Sequence, residues 1–328
     1  MTNNGRKSAN IKDVAALAGV SVATISRYLN GELDRMSKKT AENVRNAIEK
    51  LNYVPNSVAR QMKTRSSKMI AVIVSNVDDY FSTELFKGIS SILESSGYIG
   101  VLFDADSDDD REQRLLKTIG SQLFDGVIMQ PANNPQTITE ALRRSMPIVT
   151  VDREIDDSPW PQVVINNYEV ARSVSHHFVQ EGYSRVVVLT SEIKKARTRQ
   201  ERYRGITAEF KHVDVLEISE VVHNHQTTYQ QLLHLIQKND KKTVIFSLKE
   251  RWFLEFVPQL VFDRVIDNKR VTATGFADTD YARRLEPRLK LISQNPYFMG
   301  ASSAEVMLNQ LQDKSQKAKR IVIRAKFE

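Results

Sequence analysis

Residues 11–31 read IKDVAALAGVSVATISRYLNG, and their spacing decides the fold of the N-terminal fifth of the chain. Ile11, Val14, Ala15 and Ala18 recur at i, i+3, i+4 and i+7, the one-sided apolar stripe of a short helix, and Asn10 is placed to cap it. Gly19 stops that helix. Ser21 is a second N-cap, and Val22–Leu29 then turns Ile25, Tyr28 and Leu29 inward while Val22, Ala23, Ser26 and Arg27 lie elsewhere around the helix. Two short helices across a glycine-containing turn make a helix-turn-helix unit. Asn30–Gly31 ends the second helix, and Ser37 caps a third, Lys38 to about Asn52, whose Ala41, Val44, Ile48 and Leu51 close a three-helix core.

The charge follows the same division. The 328 residues carry 47 Lys and Arg against 40 Asp and Glu, a net +7, and residues 1–67 alone hold 12 basic and 5 acidic residues. The whole excess therefore sits in the helical segment, and the remaining 261 residues are balanced. A small basic module on a large neutral body is the footprint of a protein that meets a polyanion with one part and something else with the other. Arg27 offers a donor fork that fits the O6 and N7 edge of guanine, whereas Val22 and Ala23 suit apolar contact with a thymine methyl. Lys12, Arg35, Lys38, Arg60 and Lys63 are placed for phosphates, which supply affinity and salt dependence but little discrimination.

After the third helix comes NYVPNSVARQMK, residues 52–63, a basic stretch too short to be a stable helix alone but suited to ordering on DNA. Together with IKDVAALAGVSVATISRYLNG it closely resembles the N-terminus of the LacI/GalR family of bacterial transcription regulators. The resemblance implies that the second helix enters the major groove, with Val22, Ala23 and Arg27 reading bases and Ser21, Thr24, Tyr28 and Asn30 completing the DNA-facing set. It also implies a hinge helix, with Asn56, Ala59, Arg60 and Lys63 among its DNA-binding residues, that inserts Met62 into the minor groove as a wedge at a base step. The family usually has Leu at the wedge, and Met is also able to open a step.

From Lys68 onward, short β-rich runs alternate with amphipathic stretches. Strands are expected at Met69–Val74, Ile99–Phe103, Gly126–Met129, Ile148–Val151, Val163–Ile165, Val186–Leu189, Thr243–Phe246, Val271–Thr274 and Leu289–Ile292, with an edge strand over Arg320–Ala325 ending the chain. Such alternation predicts parallel sheets covered by helices on both faces, and about 260 residues suggest two lobes with a ligand cleft at the strand C-termini. No dinucleotide, P-loop or hydrolase motif is present, so no catalytic residue is assigned and an enzyme is not expected. Without cysteine there is no disulfide, iron–sulfur cluster or thiol nucleophile. The six His form no metal cluster, and Asp106–Asp110 reads as helix-capping acids rather than a cation loop; neither metal nor cofactor is expected. The chain start lacks a signal peptide and no run could span a bilayer, so the expected location is cytoplasmic, on the nucleoid, without membrane contact.

The body also resembles the LacI/GalR family, whose periplasmic-binding-protein-like core binds a metabolite between its lobes and dimerises. The landmarks are Asp79–Tyr80–Phe81, Val151–Asp152–Arg153, Val164–Asn167, Arg199-x-x-Arg202-x-x-Gly205, Gly275–Phe276 and Gln294-x-Pro296. Departures from sugar-binding relatives carry the ligand reading: Lys249–Glu250 replaces Asn-Asp, Asn166–Asn167 replaces Asp-Asn, and Gly275–Phe276–Ala277 replaces Gly-Phe-Asp. Loss of those acids, with Lys249 joining Arg153, Arg199 and Arg202, points to an anionic effector that compensates a buried cation cluster. The expectation is a sugar acid such as 2-keto-3-deoxygluconate, or a sugar phosphate, anchored by Arg202, with Tyr80 and Phe81 as apolar walls and Asn166 and Phe246 also in the effector-binding set. The runs NGELDRMS and IMQPANN are similar to those of ketogluconate and hexuronate regulators in low-GC Gram-positive bacteria.

The expected organisation is thus an all-α helix-turn-helix DNA-binding domain at 1–54, a hinge helix at 55–67, and an α/β two-lobed effector-binding and dimerisation domain at 68–328. The expected activity is that of a homodimeric repressor of carbohydrate catabolism genes on double-stranded operator DNA. Two alternatives stay open: a neutral-sugar effector, and DNA binding that depends on a phosphocarrier co-regulator protein.

Overall fold

The computed structural model describes residues 9–54, 66–313 and 319–328. The chain forms two compact units that divide after Ser66. The expected hinge residues Asn56, Ala59, Arg60, Met62 and Lys63 lie outside the described residues.

The first unit is built from α1 (Ile11–Ala18), α2 (Val22–Leu29), a 3-10 turn (Leu33–Arg35) and α3 (Lys38–Lys50). Its ends are fixed by local chemistry. The Asn10 side chain accepts from the N–H groups of Lys12 (2.8 Å) and Asp13 (3.3 Å), while Asp13 accepts from the Asn10 N–H (2.8 Å), a complete capping box. Gly19 closes α1 at φ 66°, a left-handed conformation that a side chain would strain, and the chain turns at once into the Ser21 cap of α2. Val14, Ile25 and Val44 are fully buried, with Ala15, Ala18, Ala47 and Tyr53 around them. Ala41 and Ile48, expected inside, are only half-buried, because Ala47 and the following Tyr53 take the central positions.

In the second unit, one six-stranded parallel sheet has the order β11-β5-β4-β3-β1-β2, and one four-stranded parallel sheet the order β7-β6-β8-β9. The first comprises β1 (Met69–Val74), β2 (Ile99–Asp104), β3 (Gly126–Met129), β4 (Ile148–Val151), β5 (Gln162–Ile165) and β11 (Arg320–Ile323). The second comprises β6 (Arg185–Thr190), β7 (His212–Glu217), β8 (Thr243–Ser247) and β9 (Val271–Gly275). Central strands such as β1, IAVIV after its first residue, are buried on both faces, as parallel sheets require. Helices α4 (Tyr80–Ser95), α5 (Asp109–Ser121), α6 (Pro135–Leu142) and α12 (Pro296–Gln312) follow or flank strands of the first sheet. Helices α7 (Asn167–Gln180), α8 (Arg197–Thr207), α9 (His225–Gln237), α10 (Glu250–Phe262) and α11 (Asp280–Leu285) belong with the second. α4 and α12 cross closely through a reciprocal pair of glycines: a Cβ on Gly88 would overlap the Tyr297 carbonyl, and one on Gly300 would overlap that of Leu85.

The chain passes between lobes three times, from β5 into α7, from β10 (Ile292–Ser293) into α12, and from β11 into β12 (Lys326–Phe327). Two expectations change here. The strand expected over Leu289–Ile292 is the two-residue β10, and the chain does not end on β11: it crosses back so that β12 pairs antiparallel with β10. A third strand, β7, was not expected at all. Its HVDVLE pattern is polar because it is an edge strand whose Asp214 carboxylate accepts from the buried Arg185 (Nε at 2.9 Å). Asp108 caps α5 by accepting from the Arg111 N–H at 2.7 Å, the role read for that acidic run. Among the described residues, no helix is long and apolar enough to cross a membrane.

Candidate functional site

In the first unit, α2 separates its residues cleanly. Ile25 is buried, Tyr28 and Leu29 are half-buried against the core, and Ser21, Val22, Ala23, Arg27 and Asn30 are exposed. Val22 is 40% exposed, unusual for an aliphatic residue with a core available, and it opens the same helix end as Ala23. Ser21 and Thr24 are already engaged: the Ser21 Oγ accepts from the Thr24 N–H (3.2 Å) and pairs with its hydroxyl (3.0 Å). They fix the start of α2, and Asn30 ends it.

In the second unit, a cleft between the lobes is lined by residues that follow strand C-termini, where open α/β sheets collect ligands. From the first lobe come Ser75 and Asp79 after β1, Gln130 after β3, and Asp152 and Arg153 after β4; from the second come Arg199, Arg202, Leu248 and Lys249. Side chains leave only about 50 Å³ of free volume there, whereas an adjoining hollow that shares Arg153 and Arg199 holds about 290 Å³.

The four expected cations converge on this cleft. Arg202 is 5% exposed: its Nε donates to Asn167 Oδ1 (2.7 Å), Nη1 to the Leu248 carbonyl (2.6 Å) and Nη2 to Gln294 Oε1 (2.6 Å). Its guanidinium lies 3.7 Å from the Phe276 ring centroid. Asn167 and Gln294 belong to two of the three crossings, so Arg202 ties the hinge together. Burial lowers its pKa to about 10 against the pull of Asp152 and Asp278, which leaves it cationic at neutral pH. Arg199, 6% exposed, is also lowered, by burial and then by the nearby Arg153. Its Nε is buried without a hydrogen-bond partner among the described residues.

The cluster is not unpaired, contrary to the premise drawn from sequence. Lys249 Nζ lies 3.1 Å from Glu220 Oε2 and 3.4 Å from Asp79 Oδ2, and Arg199 Nη1 donates to Glu220 Oε1 at 3.0 Å. Burial works to raise the Glu220 carboxyl, but Lys249, the Ser191 hydroxyl and Arg199 together outweigh it and hold it at about 2. Asp152 adopts a left-handed φ of 65° that directs its carboxylate to Gln130 Nε2 (3.1 Å), and burial pushes its pKa up against Arg202 and Arg153.

Three expected contacts fall elsewhere. The Asn166 side chain accepts from the Ala325 N–H (2.8 Å), joining two crossings; its neighbour Asn167 is the one that meets Arg202. Phe246 is fully buried behind Phe276, and Tyr80, 39% exposed at the start of α4, does not line the cleft, whereas Phe81 does. The two acids nearest the substituted motifs hold loops: Glu250 accepts from the N–H groups of Asp278 (3.0 Å) and Thr279 (2.8 Å). Asp278 accepts from those of Gln294 (2.7 Å) and Asn295 (3.0 Å). Asp79, Asp152 and Asn167 were visible as landmarks without an assigned role. Glu220 carried no signal, since it follows the strand that was not expected.

Comparison with known proteins agrees with both units. Residues 10–56 match the model for bacterial regulatory proteins, lacI family, and residues 70–315 match that for a periplasmic binding protein domain. A LacI transcriptional regulator from Lactobacillus brevis has a crystal structure similar to 79% of this chain over 99% of its own, at 60% identity and a TM-score of 0.77. The HTH-type transcriptional regulator KdgR of Bacillus subtilis is 24% identical over 322 residues, covering 96% of this chain and 95% of that protein. The lac repressor dimer bound to operator and the anti-inducer ONPF shares the fold at a TM-score of 0.84 and 21% identity, with 98% of each chain covered. With a helix-turn-helix unit over its first residues, a two-lobed cleft in its second unit and a regulator so similar in sequence, this chain belongs to the lacI family of bacterial regulatory proteins.

Proposed function

We propose that the protein is a cytoplasmic, homodimeric repressor of carbohydrate catabolism genes that reads operator DNA with α2 and changes its grip when an acidic sugar derivative enters the cleft. A ligand can act this way only by binding two lobe arrangements unequally. Base reading falls to Val22, Ala23 and Arg27, and the hinge residues Asn56, Ala59, Arg60, Met62 and Lys63 complete the DNA-facing set. The effector class is supported by one observation above all: four cations line the cleft, and among the described residues the buried Arg199 Nε is left with a donor and no acceptor. A carboxylate or phosphate would supply it. A neutral-sugar reading is favoured by a different fact, that Asp79, Asp152 and Glu220 line the two hollows and can accept from hydroxyls.

Thermal-shift measurements on the full chain separate the two. With 2-keto-3-deoxygluconate, D-gluconate, D-glucuronate, hexose phosphates, D-glucose and D-ribose as the panel, at least one anionic member is expected to raise Tm. At one hundred times its Kd the stabilisation is about 2.7 kcal/mol, or roughly 5–10 °C for a body of this size. If only the neutral sugars raise Tm, the acidic effector is wrong.

A further inference from the structure

The Glu220 carboxylate sits where an anionic ligand would be expected. It accepts from Arg199 Nη1 (3.0 Å) and from Ser107 Oγ (3.2 Å), and Lys249 Nζ lies 3.1 Å away. The buried Arg199, the half-buried Lys249 and the hydroxyls of Ser107 and Ser191 converging on one carboxylate are the donor set that recognises a carboxylate or phosphate on a small molecule. Three features distinguish this arrangement from an ordinary structural ion pair. It joins the lobes, because Ser107 follows β2 in the first and Glu220 follows β7 in the second. Its donors are incompletely used, because the Arg199 Nε beside it remains buried without a partner among the described residues. Its carboxylate is carried on an irregular segment between β7 and α9, where Val221 and Val222, the next two residues, are 86% and 79% exposed. Their N–H groups are held by the Ser219 hydroxyl at 3.3 and 3.2 Å. The arm between the buried Ile218 and His223, whose ring meets Trp252, thus carries Glu220 on exposed neighbours.

We propose that Glu220 is a built-in occupant of the anion position, and that an acidic ligand must displace its carboxylate to engage Arg199 and Lys249. The inference rests on the acidic-effector reading and adds a competitor to it. Affinity for the ligand is set by the difference between two anions on the same cations. Displacement also breaks the Ser107–Glu220 link between lobes, so exchange of anions removes one of the polar ties across the cleft and leaves the Lys249–Asp79 pair as another. Asp79, 3.4 Å from Lys249 on the other side, keeps that lysine paired in either state.

The test is isothermal titration of the full-length protein and its Glu220→Gln variant with D-gluconate and with inorganic phosphate, with D-glucose as the neutral control. Gln keeps the shape and an acceptor oxygen but removes the competing charge. Glu220→Gln is expected to bind the two anions at least about tenfold more tightly than the wild type, with D-glucose unaffected. The Ser107→Ala variant, which loosens the arm from the opposite lobe and leaves every charge in place, is expected to tighten anion binding by a smaller factor. It serves also if Glu220→Gln folds poorly. Equal or weaker anion binding by both variants overturns the exchange while leaving the acidic effector standing if the wild type binds an acid. Failure of Glu220→Gln to bind either anion overturns the exchange too, and the effector class is then judged by the wild-type panel alone.

Discussion

Replacing Arg202 with methionine is expected to destabilise the 67–328 body by about 3–5 kcal/mol, the usual consequence of removing one partner from a buried charge network, and to abolish ligand binding in the cleft. Methionine fills the stem volume and keeps contact with Phe276, so packing changes little. What is lost is the donor fork. Asn167 Oδ1, the Leu248 carbonyl and Gln294 Oε1 each lose a short hydrogen bond, and Asp152 loses the cation that most opposes its burial. Because those partners lie on two of the three crossings between lobes, the same change loosens the hinge. Urea unfolding would give the stability difference and calorimetry the binding loss. Arg202→Lys restores charge but not the planar fork, so it should recover part of the stability and little of the binding. A methionine variant within about 1 kcal/mol of the wild type that still bound ligand normally would contradict the role assigned to Arg202.

The second large effect lies in the other unit. Arg27→Ala should weaken specific DNA binding by about 1–3 kcal/mol per head, roughly 2–6 kcal/mol for a dimer with two heads engaged, and should relax preference at one base position. Arg27 is exposed on α2, so the headpiece core around Ile25 should be undisturbed. Lys38→Ala, by contrast, should weaken binding to all duplexes alike and reduce the salt slope by about one per head. Fluorescence anisotropy with a selected duplex and a scrambled one distinguishes the two behaviours. Should Arg27→Ala lose affinity equally for both duplexes, Arg27 is a phosphate contact and base reading lies elsewhere.

The parts legible in sequence were those written in local chemistry. Caps and periodicity located α1, α2 and α3, because Asn10, Gly19, Ser21 and Ser37 act within four residues of where they stand. The central strands β1, β3, β4 and β8 were legible because burial on both faces leaves continuous apolar runs. β7 was not, since an edge strand pairs on one side only and tolerates His212, Asp214 and Glu217. That single omission hid Glu220, which follows it, and with it the fact that the cleft cations are neutralised from within the chain. The convergence of Arg153, Arg199, Arg202 and Lys249 could be anticipated from motif positions. The turn that sends Asn166 to Ala325 and gives Asn167 to Arg202 could not, because it depends on how the crossings lie side by side.

The link between cleft and DNA is tested most directly by one titration: the Kd of the intact protein for a duplex selected from a random-sequence pool, with and without a saturating amount of the acid that most stabilises the body. The predicted result is a shift of at least about fivefold, in either direction, that Arg202→Met abolishes. An unchanged Kd with the acid bound would contradict the coupling and leave the cleft with no control over the operator.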